Sequence, residues 1–250
     1  MGSLLTTYIH SPWGAGQFRP AVVIPAVLST IFGPMVGGLG AAVGTLLADS
    51  ISHGQFYVRS LVSSVPGNFV GFYAFGWLMK RKFSWGNYIK ASQVTLLVAN
   101  AIVAFLYVYF RVFVEGSYPI VFRQTWIYIS LGLVAWWYVT MLPFVLLIGP
   151  PLIQAIVSAF PGLVPEQAKL LSKTEASKKN FSLAMIVPGV LMLLIGIVIT
   201  FTDPSRIVAL GIATNALILA GMQMMFMGSG VILIALGLVV IATGRRHPKT

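Results

Sequence analysis

The chain has no cysteine, which excludes disulfides, thiolate metal sites and cysteine nucleophiles. Charge is nearly as scarce. Only 8% of the 250 residues are charged and only five are acidic, against about a quarter charged in a typical soluble domain. Such a composition cannot build a water-facing surface, so lipid must face much of the chain. No polar stretch is long enough for a separate soluble domain. The three histidines, His10, His53 and His247, are scattered, and no pair of carboxylates falls within one apolar segment. There is no phosphate-binding loop, so the chain cannot hydrolyse ATP unaided. No catalytic residue, metal site or cofactor is expected. Met1 to His10 carries no Lys, Arg, Asp or Glu and is too short for a signal peptide.

Apolar residues are abundant, at 58% of the chain. One membrane crossing needs roughly 20 of them as a helix, and several such runs follow one another, so the expected fold is an all-α, polytopic transmembrane bundle. Pro20 to Ile51 divides at Gly33-Pro34, where proline restarts a helix. The second half carries Gly37, Gly38, Gly40, Ala41, Ala42 and Gly44, small residues that let helix backbones approach closely. Further spans are expected over 60–79, 88–113, from 124 past Pro143 to about 160, and 181–201. The run from Ile207 to Thr243 has 37 residues, about 55 Å as one helix. It is either two short spans hinged at Gly228-Ser229-Gly230 or one span with an interfacial lead-in. The total is about seven spans, with eight possible. Residues 161–180 form the hydrophilic linker, dividing the chain into a bundle over 1–160, a cytoplasmic linker and a C-terminal hairpin over 181–250. Gly189 to Gly196 and Gly230 to Gly237 look alike, a hint of an internal repeat.

Sixteen basic residues give a net charge of +11. They lie between spans, so they read as topology signals and contacts with anionic lipid, and nucleic acid is not an expected partner. Placing Lys80 to Lys90 in the cytoplasm puts all eight lysines and three arginines inside, against Arg19, Arg59, Arg111, Arg123 and Arg206 outside. The N-terminus is then outside and the C-terminus cytoplasmic, in the cell membrane.

On the outer side, polar and aromatic residues gather at span ends. Asp49, His53, Arg59 and Asn68 surround one loop and the next helix start. Arg111, Arg123, Gln124 and Trp126 flank another loop. At the mouth of a bundle such groups can hold a small polar ligand, aromatics stacking on it and charges orienting it. The competing reading is an ordinary aromatic belt with snorkelling arginines. Trp136-Trp137-Tyr138 lies mid-span and reads as packing, as does the Met222 to Met227 cluster.

Arg19-Pro20-Ala21, Ile24-Pro25-Ala26, Phe32-Gly33-Pro34-Met35-Val36-Gly37 and Gly44-Thr45-Leu46-Leu47, followed by Pro66-Gly67-Asn68-Phe69-Val70-Gly71 and Leu142-Pro143-Phe144, stand in an order that resembles the substrate-binding S-components of energy-coupling factor transporters. The resemblance covers about residues 12–160. It implies a six-helix bundle with an outward pocket near Asp49, Asn68 and the 111–126 region, and a vitamin-like ligand. It also implies partners: a membrane coupling protein and separate ATPase subunits. A nickel or cobalt version is disfavoured, because no histidine stands at the extreme N-terminus. Two departures from the family stand out: the 19 residues before Pro20 cannot form the usual first helix, and the helices after Asn180 are extra. The alternative function is a structural or accessory subunit of a larger membrane complex, such as a respiratory or oxidase assembly, with an intramembrane enzyme as a third class.

Overall fold

In a computed structural model, residues 9–117, 122–209, 212–213 and 215–244 are described. Met1 to Tyr8 and the basic tail with Arg245, Arg246 and Lys249 lie outside them.

The described residues form helices, with one isolated antiparallel bridge between His10 and Gln17. Helix α1, Pro20–Phe32, opens with a 3-10 turn. It ends at Gly33, whose φ of +91° is open to glycine and strained for any side chain. Pro34 then starts α2, Pro34–His53. A π-helical turn, Ser60–Ser64, leads into α3, Val65–Arg81. Helix α4, Trp85–Tyr109, ends in a second π turn, Phe110–Val114. Helix α5 is one 38-residue run, Phe122–Ala159, containing Pro143, Pro150 and Pro151. Within the polar linker lies a helix not anticipated from the sequence, α6, Glu166–Lys173, with Ala168 and Leu171 buried. Helix α7, Lys178–Phe201, is followed by the short α8, Pro204–Ala209, and by α9, Ala216–Gly244. Gly228-Ser229-Gly230 lies inside α9, so the last apolar run is one long helix with a short lead-in.

The all-α membrane bundle is therefore present. Among the described residues, five helices are long and apolar enough to cross a membrane: Pro34–His53, Trp85–Val114, Arg123–Ala159, Lys178–Phe201 and Ala216–Thr243. Of the other two expected spans, Pro20–Phe32 is shorter, and Val65–Arg81, 17 residues preceded by its π turn, is not among the five.

Close backbone approach holds the bundle together. A Cβ on Gly37 would lie 1.7 Å from Ser29 Oγ, and one on Gly71 would lie 2.4 Å from Ala99 Cβ. Ser29 Oγ donates to Phe72 O at 3.0 Å, and Thr95 Oγ1 donates to Gly71 O at 2.9 Å. In lipid, where helices gain little from hydrophobicity alone, small residues and interhelical hydrogen bonds of this kind supply the packing. The two look-alike segments meet each other. A Cβ on Gly189 would stand 3.0 Å from Gly230 O, and one on Gly230 would stand 2.8 Å from Gly189 O. The similarity is thus the seam of the antiparallel α7–α9 pair. That pair docks on the bundle through Gln93, whose Nε2 donates to Ala184 O at 2.9 Å, and through Phe181 against Trp85 and Tyr88.

Trp85 Nε1 donates to Thr174 O at 2.9 Å, placing the α3–α4 turn beside the α6–α7 segment. Lys80 to Lys82 and Lys173 to Lys179 therefore share one end of the bundle. Arg59 and Arg111, at the opposite ends of α3 and α4, belong to the other.

Candidate functional site

The site is built at that second end, where α2, α3, α4 and α5 meet the segment before α1. Arg59 stands just ahead of the first π turn and Arg111 lies within the second. A π turn changes how the residues on its helix are phased, and such turns recur at functional sites. Here both arginines converge on Glu115. Arg59 Nε donates to Glu115 Oε1 and Oε2 at 2.8 and 2.9 Å, and Arg111 Nε lies 4.0 Å from Oε2. Ser117 Oγ donates to Oε2 at 3.0 Å. Partial burial alone would raise the Glu115 pKa, but the Arg59 and Ser117 hydrogen bonds and the two guanidinium charges outweigh it and hold it below the ordinary carboxylate value. The hydrogen bond to Glu115, in turn, raises the Arg59 pKa.

Between these helix ends lies a cavity of about 200 Å³ lined by Asp49, His53, Tyr57, Arg59, Ser60, Tyr107, Arg111 and Trp137, among others. His53 stacks on Tyr57 with ring centroids 3.8 Å apart and donates from Nδ1 to Asp49 O at 2.8 Å. Tyr107 accepts from Arg111 Nη1 at 3.2 Å. Ser60 is 1% exposed, and its hydroxyl has no hydrogen-bond partner among the described residues. An unpartnered buried hydroxyl is costly, and this one lines the cavity.

Residues 9–19, none of which was among the expected site residues, cover the same end. Trp13 is buried against Gly132, where an added Cβ would come within 2.2 Å of its ring. Trp137 Nε1 donates to Gln17 O at 3.0 Å, and Phe18 packs edge-on to Phe144. Gly14 to Gln17 thereby form part of the cavity wall. Arg19 reaches from this segment to Asp49 Oδ1 at 2.7 Å. Arg19 also lines a second cavity of about 250 Å³ that contains Thr45, Asn68, Phe72, Asn100 and Met141. Asn68 Nδ2 donates there to Thr45 Oγ1 at 2.8 Å.

Of the expected site residues, Asp49, His53, Arg59 and Arg111 come together in the first cavity, and Asn68 lines the second. Arg123 and Gln124 are exposed and outside both. Trp126 packs instead with Phe105, Tyr109 and Phe113 at ring distances of 5.8 to 5.9 Å. Arg19, Tyr57, Ser60, Tyr107 and Trp137 were missed as site residues. Arg19 carried a signal, as a cation directly before the Pro20 helix start. Trp137 had none, since a mid-span aromatic reads as packing until the N-terminal segment is seen folded onto it.

The fold defines a class: an all-α membrane protein with several helices long and apolar enough to cross a bilayer. The chain belongs to the family described as the ECF-type riboflavin transporter, S component, whose family model matches residues 3–158. It is accordingly the membrane-embedded substrate-binding component of an energy-coupling factor uptake transporter, a subunit that binds a vitamin-like small molecule and works with a membrane energy-coupling module. This does not favour the structural-subunit alternative. S components are substrate-binding subunits and not catalysts. No curated protein and no solved structure matches the chain.

Proposed function

We propose that this chain binds riboflavin across the cavity bounded by Arg59, Arg111, Tyr57 and Trp137 and the second cavity that Arg19 also lines, for delivery to a coupling protein driven by separate ATPases. The reading is supported by one observation above all: a chain of the riboflavin S-component family carries a cavity lined by aromatic side chains and hydrogen-bond donors, with the Ser60 hydroxyl unpartnered among the described residues. Riboflavin is a planar aromatic tricycle with an imide edge and a polyhydroxyl chain. Tyr57, Tyr107 and Trp137 line the cavity as aromatic partners for the tricycle, while Arg59, Arg111 and Ser60 offer donors for carbonyl and hydroxyl oxygens. A drug-sized ligand needs about 300 Å³ or more. Each cavity alone falls short of that, and the two in series, with Arg19 between them, reach it. The bias of basic residues supports a topology with this end, and the N-terminus, outside the cell. Residues 1–160 form the ligand-holding unit, joined by the cytoplasmic linker 161–180 to the hairpin 181–250. Arg123, Gln124 and Trp126 border the mouth without bonding the ligand.

Titration of the detergent-purified chain into riboflavin, followed by flavin fluorescence, tests this directly. Saturable one-to-one quenching is expected. A folded protein that leaves micromolar riboflavin fully fluorescent would overturn the substrate assignment.

A further inference from the structure

The groove at the opposite end of the molecule lies largely beyond the part that the family match covers. Its volume is about 1020 Å³, and it runs between α5 and the ends of α7 and α9 nearest the linker. Its two halves differ in chemistry. One rim holds Lys173, Lys178 and Lys179 with a single acidic residue, Glu175. The other wall is apolar, formed by Leu147, Pro150 and Val240 on the membrane-crossing helices. Among the described residues no carboxylate pairs with these three lysines. Lys178 Nζ instead donates to Thr243 O at 3.3 Å, bridging the linker end of α7 to the end of α9.

An ammonium cluster at the level where helices leave the bilayer, continuous with an apolar wall below it, matches an anionic headgroup attached to acyl chains. A free inorganic anion would use only the rim, and a soluble acidic peptide would leave the apolar wall in water. We propose that this groove is a binding site for an anionic phospholipid such as phosphatidylglycerol. Lys173, Lys178 and Lys179 take the phosphate, and one acyl chain lies along Leu147, Pro150 and Val240. The lipid then fills the space between the hairpin and the bundle. The proposal is independent of which solute the opposite cavity takes.

Native mass spectrometry of the full chain, delipidated in detergent and then offered phosphatidylglycerol or phosphatidylcholine, tests it. At equal lipid concentration the chain is expected to retain phosphatidylglycerol at least tenfold better. The triple variant K173Q/K178Q/K179Q is expected to lose that preference, and K80Q/K82Q, at the same end but outside the groove, to keep it. Should the triple variant fail to fold, Val240→Trp, which fills the apolar wall, is expected to displace the lipid while all three lysines remain. Equal retention of the two lipids would overturn the proposal. So would full retention by both groove variants, displacement of the lipid by millimolar inorganic phosphate, or a groove occupied only by a co-purified protein subunit.

Discussion

Arg19, one residue before the first helix, donates to the Asp49 carboxylate near the end of the next one, at 2.7 Å. The pair is asymmetric: the Asp49 side chain is 7% exposed and that of Arg19 is 25% exposed. Removing one partner of a buried pair strands the other charge. Arg19→Gln therefore costs more than Asp49→Asn, because it strands the more buried group. Thermal denaturation in detergent should show R19Q as the less stable single variant, by about 1–3 kcal/mol against wild type. The double variant R19Q/D49N should recover part of that loss. Strictly additive effects would deny the coupling.

Arg59 and Glu115 form the rim clamp, and its dependence on pH has a definite sign. The pKa of Glu115 is lowered in the folded state, so its contribution is fully present above the unfolded carboxylate value of about 4.3. The contribution is lost as pH falls through the still lower folded value. Stability and flavin affinity should be flat from pH 7 to about pH 5 as far as this pair is concerned, and fall on the acid side. Glu115→Gln should remove that acid-side loss and show lower affinity at neutral pH. Titrations across this range in both proteins measure the difference.

Arg59→Gln removes a charged donor from the cavity and breaks the clamp. Hydrogen bonds involving charged groups contribute about 1.5–3 kcal/mol, so riboflavin affinity should weaken about 10- to 100-fold. Arg123→Gln and Gln124→Ala, both outside the cavity, should change it less than twofold. Fluorescence titration of the three variants decides between a cavity at the helix ends and one nearer the start of α5.

Trp13 pins the N-terminal segment over the cavity by filling the space beside Gly132. Trp13→Ala should loosen this cover, accelerating flavin release about tenfold in stopped-flow dissociation while changing the association rate less. Unchanged release would show that the segment does not retain the ligand.

Gly230 and Gly189 face each other across α7 and α9, and a Cβ on Gly230 would also come within 2.8 Å of Leu193 N. Gly230→Val should lower stability by about 1–3 kcal/mol through overpacking, seen as a lower melting temperature. Flavin affinity should stay within twofold if residues 1–160 hold the ligand by themselves. A parallel loss of affinity would tie the hairpin to the site.

Most helix bounds were legible in the sequence to within a few residues, whereas the last run, expected from Ile207, becomes helical as α9 only from Ala216. Gly33-Pro34 marks the α1–α2 break, because proline restarts a helix where glycine has let the chain turn. The site was only partly legible. Asp49, His53, Arg59 and Arg111 are polar residues at the ends of apolar runs, and such positions are conspicuous when charge is scarce. Trp126 looked equivalent to them, yet it turns toward Phe105, Tyr109 and Phe113. Helical phase inside an almost uniformly apolar segment leaves no periodic signal to separate its faces. The α6 helix was lost in the linker because it is only eight residues long and buries just Ala168 and Leu171.

Composition alone determined that this chain is a helical membrane protein: too few charges for water, and apolar runs whose backbone groups must pair within helices in hydrocarbon. Tertiary structure alone decided which polar residues share a cavity. Arg59 and Arg111 meet at Glu115, and a segment without helix folds back to carry Arg19, Gln17 and Trp13 onto the bundle. These placements depend on contacts between residues 30 to 120 positions apart, from Arg19 with Asp49 to Gln17 with Trp137, and local sequence carries no record of such distances.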